Sequence, residues 1–69
     1  PPSNIYRLKT RRKVKDPELR RVVEHIWDSY RGLPFASRWI YKELGEIGLA
    51  ALQALLKLGI VSEYPSLIE

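Results

Sequence analysis

Cysteine and methionine are both missing from this 69-residue chain, and His25 is its single histidine. Without cysteine there is no disulfide framework and no thiolate metal site. One histidine excludes a zinc site built from several, which leaves only carboxylate-rich metal sites open. Long apolar runs are absent too. No stretch approaches the ~18 consecutive apolar residues of a membrane-spanning helix. No charged start followed by a short apolar stretch reads as a signal peptide. These absences place the chain in the cytoplasm by default, with no membrane partner.

Hydrophobic residues make up 45% of the sequence, enough for the core of one small domain. The net charge of +4 is unevenly spread. Arg7, Lys9, Arg11, Arg12, Lys13 and Lys15 face no acidic residue before Asp16, so the basicity belongs to an extended N-terminal segment over 1–15. The remainder, 16–69, is slightly acidic and carries the folded body. A basic chain suggests nucleic acid, but a charge run of this kind reads first as a solvated linker.

Ile5-Tyr-Arg-Leu-Lys9 alternates weakly and predicts a short edge strand. Asp16-Pro17-Glu18 is a helix start: an N-cap carboxylate, a proline at the first helical position and an acid at the positive end of the dipole. Leu19, Val22, Val23, Ile26, Trp27 and Tyr30 then recur on one stripe. The helix predicted over 17–31 stops at Gly32, expected in the left-handed conformation, ahead of Pro34. A second short helix is predicted over 34–45 and a third over 46–58, with Gly45 and Gly59 as their stops. Ile60–Tyr64 and 66–69 look extended. This order predicts a mainly α, three-helix, winged-helix-like helix-turn-helix domain with short terminal strands. The final strand has no partner after it, which would leave backbone groups unpaired. With the missing methionine, this predicts a segment of something larger.

A winged helix-turn-helix order raises the prospect of a DNA-binding module, whose third helix must read base edges. Here that helix offers only Gln53 and Lys57 among Ile47, Leu49, Leu52, Leu55, Leu56 and Leu58. A helix apolar nearly all round belongs in protein, against the domain core and a second protein surface. Nucleic acid is therefore not the expected partner.

Catalytic constellations are absent. Glu24 and Asp28 sit four apart on the polar face of the first helix, where they read as surface acids beside Arg20 and Arg21. His25 shares that face. Ser29, Ser37, Ser62 and Ser66 have no base set beside them by the sequence, and the glycines form no phosphate-binding fingerprint. Leu33-Pro34-Phe35 and Tyr64-Pro65 are different in kind, because proline holds each segment rigid. Rigid apolar groups on loops suit a pocket wall, although composition favours core packing at two ordinary turns, since large apolar side chains are usually core.

Leu33-Pro-Phe-Ala-Ser-Arg-Trp39, the leucine-rich third helix and Leu58-Gly-Ile-Val-Ser-Glu-Tyr-Pro-Ser-Leu67 occur in this order. The combination resembles the insert subdomain of type II methionine aminopeptidases, most closely the archaeal form. The resemblance implies a pita-bread enzyme that removes the initiator methionine from nascent proteins with two divalent metal ions. It also implies that this segment carries no catalytic or metal-binding residue and helps wall the methionine pocket against the catalytic body. Matched by motif, Pro34, Phe35, Tyr64 and Leu67 are the substrate-binding positions. A noncatalytic protein of the proliferation-associated type shares this fold and is the alternative.

Overall fold

The computed structural model describes residues 4–12 and 14–64 of the chain. Its elements run β1 (Ile5–Leu8), α1 (Pro17–Tyr30), β2 (Phe35–Ala36), α2 (Ser37–Lys57) and β3 (Val61–Tyr64). The fold is mainly helical, with one small antiparallel sheet in the order β2-β1-β3.

The start of α1 follows from its first residues. Asp16 is extended and its Oδ1 accepts from the Glu18 N–H at 2.8 Å and the Leu19 N–H at 3.4 Å. Pro17 occupies the first turn, where its missing donor costs nothing. Val22, Val23 and Ile26 enter the core, while Leu19, Trp27 and Tyr30 pack partly buried against it. The expected stop at Gly32 is displaced by one residue: Arg31 takes the positive φ of 58°, and its N–H donates to the Trp27 carbonyl at 2.9 Å. The Arg31 guanidinium lies 5.2 Å from the centre of the Trp27 ring, a contact open to arginine and closed to glycine.

Three expectations about the strands need correction. β1 is the central strand, not an edge. Its second neighbour, β2, comes from Phe35 and Ala36, which periodicity assigned to a helix. Pairing of Phe35 with Tyr6 overrides that local preference, and α2 starts only at Ser37. Its first turn lacks a side-chain cap, and the Ser37 N–H donates instead to the Asn4 carbonyl at 3.1 Å. Nor does the final described strand want for a partner. β3 pairs with β1 from Ile5↔Tyr64 to Leu8↔Val61, so its partner precedes it in the chain. The extended segment expected over 66–69 lies outside the described residues.

The basic stretch after β1 is also more than a linker. The Lys9 N–H donates to the Ile60 carbonyl at 2.8 Å, and Val14 is buried in the core. Arg11 lies 4.2 Å from the centre of the Trp27 ring and 3.7 Å from Glu24. The loop is thus fastened at three points to the sheet turn, the core and α1.

α2 is bent at Gly45, whose φ of 72° and ψ of −158° are open essentially to glycine alone. Beyond the bend, Gly48, Ala51, Leu52 and Leu55 turn inward, with Leu52 and Leu55 fully buried. On another face Ile47 is 76% and Leu58 60% exposed, and Ala50 between them is also exposed. These residues recur at steps of three and eight, so this half of the helix has an apolar stripe in water beside the one in the core. No helix among the described residues is long and apolar enough to cross a membrane.

The bend brings Gly48 against the preceding turn. A Cβ at Gly48 would lie 2.5 Å from the Leu44 Cβ and 3.0 Å from the Ile40 Cγ2. The Leu44 Cβ is fixed to the backbone, so the helix itself would have to move. Gly48→Ala should therefore destabilise the protein by about 1–3 kcal/mol through overpacking, despite a helix-propensity gain of about 1 kcal/mol. Denaturant melting reads the difference. An unchanged or raised midpoint would show that the two turns are not in contact.

Candidate functional site

The two motifs supply the strands on either edge of β1. Ile5 pairs with Ala36 on one side and with Tyr64 on the other, and Tyr6 pairs with Phe35 and Glu63. Partners across a ladder share a face, so Ile5, Ala36 and Tyr64 line one side of the sheet while Tyr6, Phe35 and Glu63 line the side toward the helices. Positions 35 and 64, distant in sequence, are two strands apart.

The four expected site residues have different fates. Tyr64 is 47% exposed at the end of β3 and is open to contact. Pro34 is exposed just before β2. Phe35 is only 1% exposed, so its ring is covered by the chain's own side chains. Leu67, like Pro65, lies outside the described residues.

Phe35 is the middle of an aromatic ladder. Its ring stacks on Tyr30 with centroids 5.1 Å apart and faces Tyr6 at 6.2 Å, and Tyr30 reaches the partly exposed Trp39 at 5.8 Å. The separations suit offset aromatic packing. Polar clasps close both ends. At the first, the Tyr6 hydroxyl donates to Glu63 Oε2 at 2.7 Å and accepts from Gln53 Nε2 at 3.2 Å, while Asn4 Nδ2 donates to the same Glu63 oxygen. These bonds hold β1, β3 and α2 together next to Tyr64. At the second, the Tyr30 hydroxyl donates to Glu43 Oε2 at 2.6 Å, and His25 Nε2 lies 2.7 Å from Glu43 Oε1. This clasp joins α1 to α2.

Sequence reasoning missed the second clasp by treating His25 and Glu43 as unrelated surface groups. A signal was present: Glu43 lies four residues after Trp39, so whatever turns Trp39 toward α1 also turns Glu43 that way. Gln53, the one base-reading candidate besides Lys57, is occupied within the protein by Tyr6. Leu52 and Leu55 are buried in the domain core. Among the described residues no group of three or more His, Asp or Glu side chains could hold a metal ion.

No protein-family model matches the chain. The methionine aminopeptidase of Thermococcus onnurineus is 39% identical over 71 residues, taking in all of this chain and 24% of that enzyme. The methionine aminopeptidase of Thermococcus kodakarensis matches to the same extent, again at 39%. That of Methanocaldococcus jannaschii is 35% identical over 66 residues, 96% of this chain and 22% of the enzyme. The likeness is to a segment of an archaeal methionine aminopeptidase. The chain spans about a quarter of the length of these curated relatives.

The clasp at Glu43 has a titration signature. Burial, and then the hydrogen bond to Glu43, push the Tyr30 hydroxyl up to about 12 from its ordinary 10.0. The same bond, followed by the one from His25, holds the Glu43 carboxyl below its usual 4.5. The raised tyrosine contributes stability that is complete below pH 10.0 and lost as pH rises toward about 12. The lowered carboxyl contributes stability that is present above 4.5 and lost as pH falls through its depressed value. Burial, with the bond to Glu63, also raises the Tyr6 hydroxyl, so ultraviolet titration of tyrosinate should show late-ionising tyrosine from both residues, and Tyr30→Phe should remove the part that titrates at about 12. Glu43→Gln should lower its midpoint only part of the way, because burial remains the larger cause. A tyrosine titration that Tyr30→Phe leaves unaltered at its high end would contradict the clasp.

Proposed function

We propose that this chain is the insert segment of a type II, metal-dependent methionine aminopeptidase, a cytoplasmic enzyme that removes the initiator methionine from nascent proteins. The segment walls the methionine pocket and leaves the chemistry to the rest of the enzyme. The observation that carries this is the match of the whole chain to about a quarter of three archaeal methionine aminopeptidases. The described residues do not fit a metal centre, since His25 and Glu43 stand without a third ligand. The two divalent ions belong to the catalytic body. The halves of α2 on either side of Gly45 serve as the second and third helices of a winged-helix-like unit, and the basic segment 1–15 contributes its central strand β1.

In this role Tyr64, Pro34 and Leu67 are the positions that touch substrate. Phe35 acts from beneath: its buried ring fixes the strand end on which Pro34 and its neighbours stand. The exposed stripe of Ile47, Ala50 and Leu58 is suited to packing on the catalytic body, which would remove a sizeable apolar area from water.

Tyr64→Ala in the complete enzyme should raise KM for a methionyl peptide roughly tenfold, equivalent to ~1.4 kcal/mol, with kcat and bound metal little changed. Steady-state kinetics and metal analysis on the purified variant test this. Unaltered kinetics would remove Tyr64 from the pocket, and loss of metal would mean that it supports the centre instead.

A further inference from the structure

We infer that the basic loop after β1 and the adjoining side of α1 form a second surface that binds the phosphodiester backbone of a nucleic-acid duplex without reading its sequence. This does not depend on the aminopeptidase assignment, and it uses neither Tyr64 nor the helix that a groove reader would use.

The fold gathers cations that the sequence spreads over 25 positions, from Arg7 to Arg31. Lys9, Thr10, Arg11 and Arg12 line a groove with Glu24 and Trp27. Arg31 joins them from the end of α1, because Arg11 and Arg31 both lie against Trp27, 4.2 and 5.2 Å from its ring centre. Those guanidinium carbons are therefore less than about 10 Å apart, within a Debye length at moderate salt. Arg7 Nε donates to the Gly32 carbonyl at 2.8 Å, which sets a further charge beside Arg31. Glu24, 3.7 Å from Arg11, is the one acid lining this groove; Asp28 lines the neighbouring groove with Arg20, Arg21 and His25.

Holding several like charges at such spacing opposes folding unless something of opposite sign is nearby. Here the cations are held, not adrift: the loop is tied by Lys9, Arg11 and Val14 as described above. Arginine forks suit phosphate oxygens, and an array this broad matches a polyanion with a charge every few ångströms. An acidic peptide fits less well, since docked peptides draw on apolar pockets. Here Leu8 is buried and the Trp27 ring is covered by two arginines.

The test is fluorescence anisotropy with the full protein and labelled mixed-sequence duplexes, one of RNA and one of DNA, over a range of salt. Binding should weaken with a log–log slope of about −4, as expected for roughly four to five neutralised phosphates. Lys9→Glu combined with Arg12→Glu should cost at least tenfold in affinity. Arg38→Glu combined with Lys57→Glu, an equal charge change on α2, should cost much less. Circular dichroism establishes that both variants are folded, and the tighter of the two duplexes identifies the natural source of the backbone. Equal losses in the two variants would reduce the effect to net charge and overturn the proposal. So would failure of both duplexes to bind at low salt, or displacement by polyglutamate as effective as by unlabelled duplex.

Discussion

Tyr6 sits in the central strand between Phe35 and Glu63, and the domain is organised around the burial of its side chain. The residue is 2% exposed, yet it carries a hydroxyl. Leaving that group buried without partners would cost about 1–3 kcal/mol. Glu63 and Gln53 supply the partners from β3 and α2, and the ring packs toward Phe35 in β2. One side chain thus ties the N-terminal strand to both of its neighbours and to the second helix. Among the described residues no buried side-chain polar atom is left without a partner, so the core gains its apolar contacts without that penalty.

The same constraint sets the two motifs on either edge of β1. Because β1 lies in the middle, the segment before α2 and the segment after it are each drawn to one of its edges. Ala36 and Tyr64 consequently lie level with each other on either side of Ile5, while Pro34 enters β2 from the opposite end of the sheet. An aromatic ladder continues from Tyr6 through Phe35 and Tyr30 to Trp39, and the Glu43 clasp fastens its far side. A group at Tyr64 is held by a strand whose neighbour, Glu63, is itself hydrogen-bonded inward. Such backing gives a loop-end side chain a fixed position without burying it.

What could be read in the sequence was what local chemistry decides. The N-cap at Asp16, the apolar stripe of α1 and the breaks at Gly45 and Gly59 depend on near neighbours, and glycine takes a positive φ at both breaks. β2 was not legible: two residues carry no period, and only Tyr6, 29 positions before Phe35, makes them a strand. The stop at Arg31 was hidden for a similar reason, since its compensation is a contact with Trp27. His25–Glu43 required knowing how the helices dock. Of the site, the alignment of positions 35–36 with 63–64 across β1 rests on strand order, while the motif residues were recognisable by type. The burial of Phe35 was not, because a phenylalanine after proline looks the same in a pocket wall and in a core.

Three kinds of surface result from one small core, and their separation has a physical basis. The apolar stripe of α2 gains by leaving water against protein, a gain that does not depend on salt. The cations beside Trp27 act over a Debye length and would pay heavily for desolvation if pressed into an apolar interface. Placing both on one face would weaken each. The bend at Gly45 and the central position of β1 keep them on different elements: Ile47 and Leu58 on α2, and Arg11 and Arg31 against α1. Tyr64 stands apart from both at the end of β3. A two-residue strand together with a glycine bend is enough to produce this division.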